Sequence, residues 1–189
     1  MKNLILSTIA TAFVMVSCNQ KNKEAVTPDP KENQNQSNAK EAADKSNFSI
    51  NEITTNYLHL KNALVNDDSK NAANAGKELL TAFNNINSAA IDEKLKIKYN
   101  DIADVAKEHA EHIGDNDGNI EHQREHFVLL SKDVNDLIEE FGTDQKLYQD
   151  FCPMTNDGKG AIWISETKEI KNPYYGSKMS SCGSIKKTL

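Results

Sequence analysis

Four stretches between residues 50 and 141 carry apolar side chains three and four positions apart, which is the spacing of one face of an α-helix. Short polar connections separate the stretches, so neighbouring helices are expected to be antiparallel. The sequence therefore predicts a mainly α fold, an up-and-down four-helix bundle. The apolar positions are Ile50, Ile53, Tyr57, Leu60 and Leu64; Ala72, Ala75, Leu79, Leu80, Phe83 and Ile86; Leu95, Tyr99, Ile102, Ala106 and Ile113; and Ile120, Phe127, Leu130, Val134, Leu137 and Phe141.

Polar and glycine-rich segments mark the ends of these helices. Asp67-Asp68-Ser69 interrupts the first stripe and offers caps for the second helix. Residues 114–118, Gly-Asp-Asn-Asp-Gly, predict a turn between the third and fourth helices. Gly142 predicts the end of the fourth helix.

The last part of the chain, residues 146–189, has a different composition. It contains the single tryptophan, Trp163, together with Asn172-Pro173 and several glycines. We expect an irregular, partly extended segment that packs on the bundle, with one short strand at residues 161–165. Residues 47–189 are thus predicted to form a single domain.

The first 17 residues are typical of a bacterial lipoprotein signal peptide. Lys2 is followed by an apolar stretch, residues 4–16, that is too short for a membrane-spanning helix. The motif Met15-Val16-Ser17-Cys18 resembles a lipobox, which makes Cys18 the predicted lipidation site. The alternative is an ordinary signal peptide with an incidental cysteine. We expect an exported, membrane-anchored lipoprotein, in the outer membrane and facing the periplasm.

Residues 18–46 are predicted to be the lipidated cysteine and a disordered tether, because they are rich in polar residues and contain no aromatic residue. Signal cleavage removes Lys2 and takes the net charge from −6 to −7. An acidic chain is a poor partner for nucleic acid, so the expected membrane contact is through the lipid anchor alone.

Four sulfur side chains lie in two mirrored pairs near the C-terminus: Cys152 with Met154, and Met179 with Cys182. The other cysteine and methionines are confined to the predicted signal peptide and its cleavage site. Thiolates and thioethers together prefer soft ions such as Cu(I). The pattern predicts that both pairs converge on a soft-metal site, with Cu(I) as the suspected cofactor.

A disulfide between Cys152 and Cys182 is the alternative explanation. Cysteines in an oxidising compartment usually pair, and a disulfide would hold an irregular segment in place. It does not explain the two methionines, although methionine also fills gaps where a loop meets a bundle. The two states can also alternate, with oxidation releasing the metal.

A second candidate site consists of His109 and His112 on the third helix and His122 and His126 on the fourth. Both spacings place a pair on one helical face. Positions equidistant from the turn face each other in an antiparallel hairpin, so His112 should lie near His122, and His109 near His126 or Glu125. Four imidazoles can bind Cu(II), Zn(II) or Ni(II). A solvated polar face is the equally weighted alternative, and one histidine completing the sulfur site is a third.

Motifs of common enzymes are missing from the sequence. The segment that begins at Asp115 departs from the calcium-loop pattern, because Ile120 stands where glycine is required and His126 where glutamate is required. Neither Cys152 nor Cys182 belongs to a Cys-x-x-Cys motif, and no nucleophile elbow is present. We therefore expect no enzymatic activity.

The C-terminal motifs resemble a bacterial domain family of unknown function. They are Phe151-Cys152-Pro153-Met154, residues 158–163 (Gly-Lys-Gly-Ala-Ile-Trp), residues 169–176 (Glu-Ile-Lys-Asn-Pro-Tyr-Tyr-Gly), and Met179 with Cys182-Gly183. Residues 57–65 and 123–127 in the helices are also similar, and the resemblance covers about residues 50–187. The family occurs in exported Bacteroidetes lipoproteins and fused to the adaptor (membrane-fusion) subunits of copper/silver efflux systems.

This resemblance implies copper or silver as the metal and an efflux adaptor or another envelope protein as the partner. The matched ligands are Cys152, Met154, Met179 and Cys182, with His126 near them. We expect a periplasm-facing lipoprotein that binds Cu(I) or Ag(I) for metal tolerance or delivery. The alternative function is a disulfide-stapled helical protein-interaction module of the cell envelope that binds no metal.

Overall fold

A computed structural model describes residues 48–189. The predicted signal peptide, the lipidation site Cys18 and the tether 18–46 lie outside the described residues. The elements are α1 (Asn51–Val65), α2 (Ser69–Asn85), α3 (Glu93–Asp115), α4 (Ile120–Phe141), β1 (Tyr148–Cys152), β2 (Ala161–Ser165) and β3 (Ser184–Thr188). The prediction of a mainly α fold with four helices and an extended C-terminal part is confirmed.

The helices begin and end at residues that satisfy exposed backbone groups. Asp68, Asp92 and Asn119 precede α2, α3 and α4, and each side chain accepts a hydrogen bond from the backbone N–H three residues later. Gly142 follows α4 with a φ of 78°, a left-handed conformation that glycine adopts without steric cost. These caps fix where the α3–α4 hairpin begins and ends.

Consecutive helices pack against each other along the chain. The helices α2 and α3 approach closely at Gly76, where an added Cβ would lie 2.9 Å from the backbone nitrogen of Gly114. In the core, the rings of Tyr57 and Phe127 stack with centroids 5.1 Å apart. The Tyr57 hydroxyl also lies 2.8 Å from Ser131 Oγ and accepts a hydrogen bond from the Ile164 N–H, which ties α1 to α4 and β2.

The C-terminal segment forms an antiparallel sheet in the order β2–β1–β3. The strand predicted at residues 161–165 is confirmed as β2. The segment is partly extended as expected, and it contains two strands besides the predicted one, β1 and β3. All five residues of β3 are exposed, so the strand lacks the alternating apolar pattern by which strands are recognised.

Arg124 on α4 holds the C-terminal segment against the bundle. Its side chain is buried and donates hydrogen bonds to the carbonyl oxygens of Pro173 (2.8 Å) and Leu64 (2.9 Å). It also forms an ion pair of 2.6 Å with Asp67, whose second carboxylate oxygen accepts a hydrogen bond from the Ser177 N–H. One buried guanidinium thus links the α1–α2 turn, α4 and the segment that leads to Cys182.

No helix within residues 48–189 is both long enough and apolar enough to cross a bilayer.

Candidate metal centres

The four histidines of the α3–α4 hairpin form one cluster. His109 and His112 lie in the last turns of α3, and His122 and His126 lie in the first turns of α4. The turn between residues 115 and 120 reverses the chain and brings these helix ends side by side. The cluster is partly exposed: His112 is exposed and the other three histidines are half-buried.

The imidazole rings contact one another across the two helices. The Nδ1 atoms of His109 and His126 lie 3.2 Å apart. The rings of His112 and His126 stack, with centroids 4.3 Å apart and an interplanar angle of 4°. One ligand atom each from His112, His122 and His126 lies within 4.8 Å of the other two. The structure therefore gathers three metal-ligand nitrogens in one place.

Burial and crowding keep part of the cluster in the neutral form. Partial burial lowers the pKa of His109 and of His126 below the ordinary value, and the neighbouring ring of His112 lowers both further. His122 has a different partner, because its Nδ1 lies 3.2 Å from the Glu125 carboxylate. Neutral imidazoles offer a lone pair to a metal, so this environment favours ligation at neutral pH.

The two predicted sulfur ligands Cys152 and Cys182 are also brought together. Cys152 is the last residue of β1, and Cys182 precedes β3, which pairs antiparallel with β1 through Phe151 and Ser184. The two thiols contact each other as free cysteines, with Cys152 buried and Cys182 half-buried. Strand pairing therefore creates a dithiol from residues that are far apart in sequence.

The surroundings of Cys152 stabilise its thiolate. Burial alone raises the pKa of this thiol, but the Cys182 thiol and the backbone N–H groups of Met154 and Thr155 outweigh that effect. The net effect is a pKa of Cys152 below its ordinary value. The pKa of Cys182 is raised to about 11, mainly because its proton is held in the contact with Cys152. The pair therefore shares one proton over a wide pH range.

The two methionines occupy different surroundings from the thiols. The Met154 side chain is 55 % exposed and lines a cleft of about 470 Å³ beside Glu125 and Leu129 of α4. Met179 is half-buried, and its carbonyl accepts a hydrogen bond of 3.2 Å from the Cys182 N–H. The structure thus joins the cysteines, whereas the Met154 side chain faces the cleft.

Sequence reasoning missed Thr155 as part of this site. Its backbone N–H favours the Cys152 thiolate, and the residue is buried. Its position three residues after Cys152, beyond a proline, is the sequence signal that indicates a tight turn over the sulfur.

Residues 53–146 match a family described as "Protein of unknown function (DUF3347)". This part of the chain is similar to that family. The DUF3347 match covers most of α1 and all of α2, α3 and α4, and so includes the four clustered histidines. It ends before β1, so Cys152 and Cys182 lie outside it. Neither curated proteins nor solved structures show a significant match to the chain.

Proposed function

We propose that this protein binds a soft monovalent metal ion, Cu(I) or Ag(I), between Cys152 and Cys182. The observation that carries the proposal is the contact between the two thiols at the paired ends of β1 and β3. Thiolate ligands select soft ions over the hard ions that carboxylates prefer. Two adjacent thiols on a hydrogen-bonded sheet are a preorganised ligand pair.

Metal binding at this pair requires thiolates. The donors around Cys152 already favour its ionised form, so one ligand is prepared before the metal arrives. Cys182 must release its proton when the ion replaces the thiol–thiol contact. Met154 and Met179 flank the pair in sequence, and their flexible side chains can swing toward a bound ion as additional ligands.

The cellular setting of the proposal comes from the sequence. Export, lipidation at Cys18 and a periplasm-facing position in the outer membrane would place the dithiol where copper and silver ions are handled. The resemblance to domains fused to efflux adaptors suggests an adaptor or another envelope protein as the partner. A role in metal tolerance or delivery, without enzymatic activity, follows from this setting.

The proposal is tested by titrating reduced protein with Cu(I) in competition with a chromophoric chelator. All variants carry Cys18→Ser, which removes the third thiol. We expect Cys152→Ser and Cys182→Ser each to weaken Cu(I) binding by more than ~10-fold. Ser180→Ala, which changes an exposed residue near Cys182, is the matched control and should leave the affinity unchanged. Equal affinity in both cysteine variants and the parent protein would refute the dithiol site.

The same thiol contact favours one other function, a disulfide-stapled module that binds an envelope protein. Two thiols in contact need little movement to oxidise, and closing a loop of this length contributes about 3–4 kcal/mol. Counting thiols on protein isolated without reductant separates the two functions. A metal site predicts that Cys152 and Cys182 both react after the metal is removed, whereas a permanent disulfide leaves neither reactive.

A further inference from the structure

The histidine cluster differs from an ordinary solvated helix face in how its rings are arranged. On a solvated face, polar side chains extend away from each other into water. Here His126 is surrounded by the other three rings, with centroid distances of 5.4 Å to His109, 4.3 Å to His112 and 4.7 Å to His122. The four histidine rings, two from each helix, thus lie against one another.

The spacing of the ligand atoms is close to that of a coordinated ion. Zn–N bonds of 2.0–2.1 Å place tetrahedral nitrogens roughly 3.4 Å apart. One ring nitrogen each from His112, His122 and His126 lies within 4.8 Å of the other two. Rotations of these partly exposed side chains would bring the three nitrogens to bonding distance from one ion. The exposure of His112 leaves a route for the ion to enter.

Neighbouring groups hold two of these rings in position. The contact between His109 and His126 uses Nδ1 of each ring, so His126 keeps its other nitrogen for a ligand bond. The Glu125 carboxylate similarly contacts Nδ1 of His122. Carboxylate and hydrogen-bond partners of this kind orient metal-binding histidines and fix their tautomers.

Buried core residues and hydrogen bonds hold the two helices that carry the cluster. Ala110, Ile113 and Phe127 lie beside the histidines in sequence and are fully buried in the core. Gln123, also fully buried, donates hydrogen bonds to the carbonyl oxygens of Ile113 and Ser69. The backbone beneath the rings is therefore rigid, which lowers the entropic cost of assembling a site.

We infer that His112, His122 and His126 form a second metal site, which binds a divalent ion of the Zn(II), Cu(II) and Ni(II) class, with His109 as a positioning residue. Imidazole nitrogens suit these borderline ions, whereas thiolates suit Cu(I). This site is independent of the proposed dithiol function.

The test is a calorimetric titration with Zn(II) alone, using the full chain with Cys18, Cys152 and Cys182 replaced by serine. We expect one equivalent of Zn(II) to bind, and His112→Ala and His126→Ala each to weaken binding by more than ~10-fold. His109→Ala should weaken binding less than either ligand variant. His59→Ala is the matched control, because His59 is exposed on α1 and should leave the affinity unchanged.

A second measurement guards against loss of structure in the variants. Cu(II) added to the same cysteine-free protein should show nitrogen hyperfine splitting in its electron paramagnetic resonance spectrum, and this splitting should change in His112→Ala, an exposed position. The inference would be overturned if the parent protein did not bind Zn(II), or if His112→Ala and His126→Ala bound Zn(II) as tightly as the parent protein. A loss of affinity in His59→Ala as large as that in the ligand variants would also overturn it. Because no thiol is present, these outcomes leave the Cu(I) proposal unaffected.

Discussion

The Nδ1 atoms of His109 and His126 lie 3.2 Å apart, although one residue belongs to α3 and the other to α4. The antiparallel hairpin produces this contact, because both positions lie at similar distances from the turn that joins the helices. At most one of the two nitrogens can carry the hydrogen of this contact, so at least one of the two rings must keep an unprotonated Nδ1 and stay neutral. The contact therefore links the geometry of the cluster to its protonation.

We predict that His109 and His126 titrate below the ordinary histidine pKa of about 6.5 in the metal-free protein. Burial lowers both pKa values, and charge on His112 opposes protonation of each ring. His112→Ala should therefore raise the pKa of His126. Following the ring protons by NMR across the acidic range measures both effects. A pKa of His126 at or above 6.5 in the parent protein would contradict the structure.

Gly176→Ala is expected to destabilise the protein by roughly 2–3 kcal/mol. Gly176 has a φ of 53°, and an added Cβ would overlap the Asp67 carboxylate and the Arg124 guanidinium, breaking the ion pair between the buried Arg124 and the exposed Asp67. Gly158→Ala is the control, because Gly158 also has a positive φ of 79° but has no atom within 4 Å of the added Cβ. That control should cost only about 1 kcal/mol. Urea unfolding compares the two variants, and equal losses would argue against the Arg124 linkage.

Asp150→Asn should stabilise the protein at neutral pH. Asp150 is fully buried in β1, and neither carboxyl oxygen has a hydrogen-bond partner within residues 48–189. Burial raises its pKa to about 6, partly opposed by the charge of Lys61. Because the folded pKa exceeds the unfolded value, this residue's contribution is most favourable below about pH 4 and is lost as the pH rises through about 6.

The gain in the Asp150→Asn variant at pH 7 should approach about 3 kcal/mol and become much smaller at pH 4. Urea unfolding at both pH values measures it. Asp157→Asn, at an exposed position, is the control and should change little at either pH. A variant that is destabilised equally at both pH values would show that the Asp150 carboxyl is stabilised by groups that the structure does not reveal.

The two thiols should ionise in separate steps in the metal-free, reduced Cys18→Ser protein. The contact between them lowers the pKa of Cys152 and raises that of Cys182 to about 11. Cys182→Ala removes one donor to Cys152, so the pKa of the remaining thiol should rise. Ultraviolet absorbance of the thiolate against pH follows both steps, with Ser181→Ala as control. A single step at the ordinary cysteine pKa would show that the thiols are apart in solution.

The helical part of the fold was predictable because its signals are local. Apolar residues three to four positions apart define each helix. Asp68 precedes α2 and Gly142 follows α4, so each helix end lies within a few residues of the apolar pattern. The pairing of α3 and α4 followed from their short connection. The order of the histidines along one hairpin was therefore enough to predict that His109 lies near His126 or Glu125.

The C-terminal part was less predictable because its structure depends on distant partners. β1 contains the polar Asp150 at a buried position, and β3 is exposed throughout, so pairing with neighbouring strands makes them strands and an apolar pattern does not. The ion-pair partner of Arg124 could not be predicted either, because Asp67 lies 57 residues earlier in the chain.

X-ray absorption at the copper edge of the one-to-one Cu(I) complex tests the central claim most directly. In the reduced Cys18→Ser protein, the dithiol site predicts that two sulfur atoms from Cys152 and Cys182 dominate the first coordination sphere. Replacing both cysteines with serine should abolish the short thiolate–copper distance and leave at most thioether sulfur from Met154 or Met179. A coordination sphere of nitrogen and oxygen alone in the parent protein, or a thiolate–copper distance that survives the double replacement, would contradict the account.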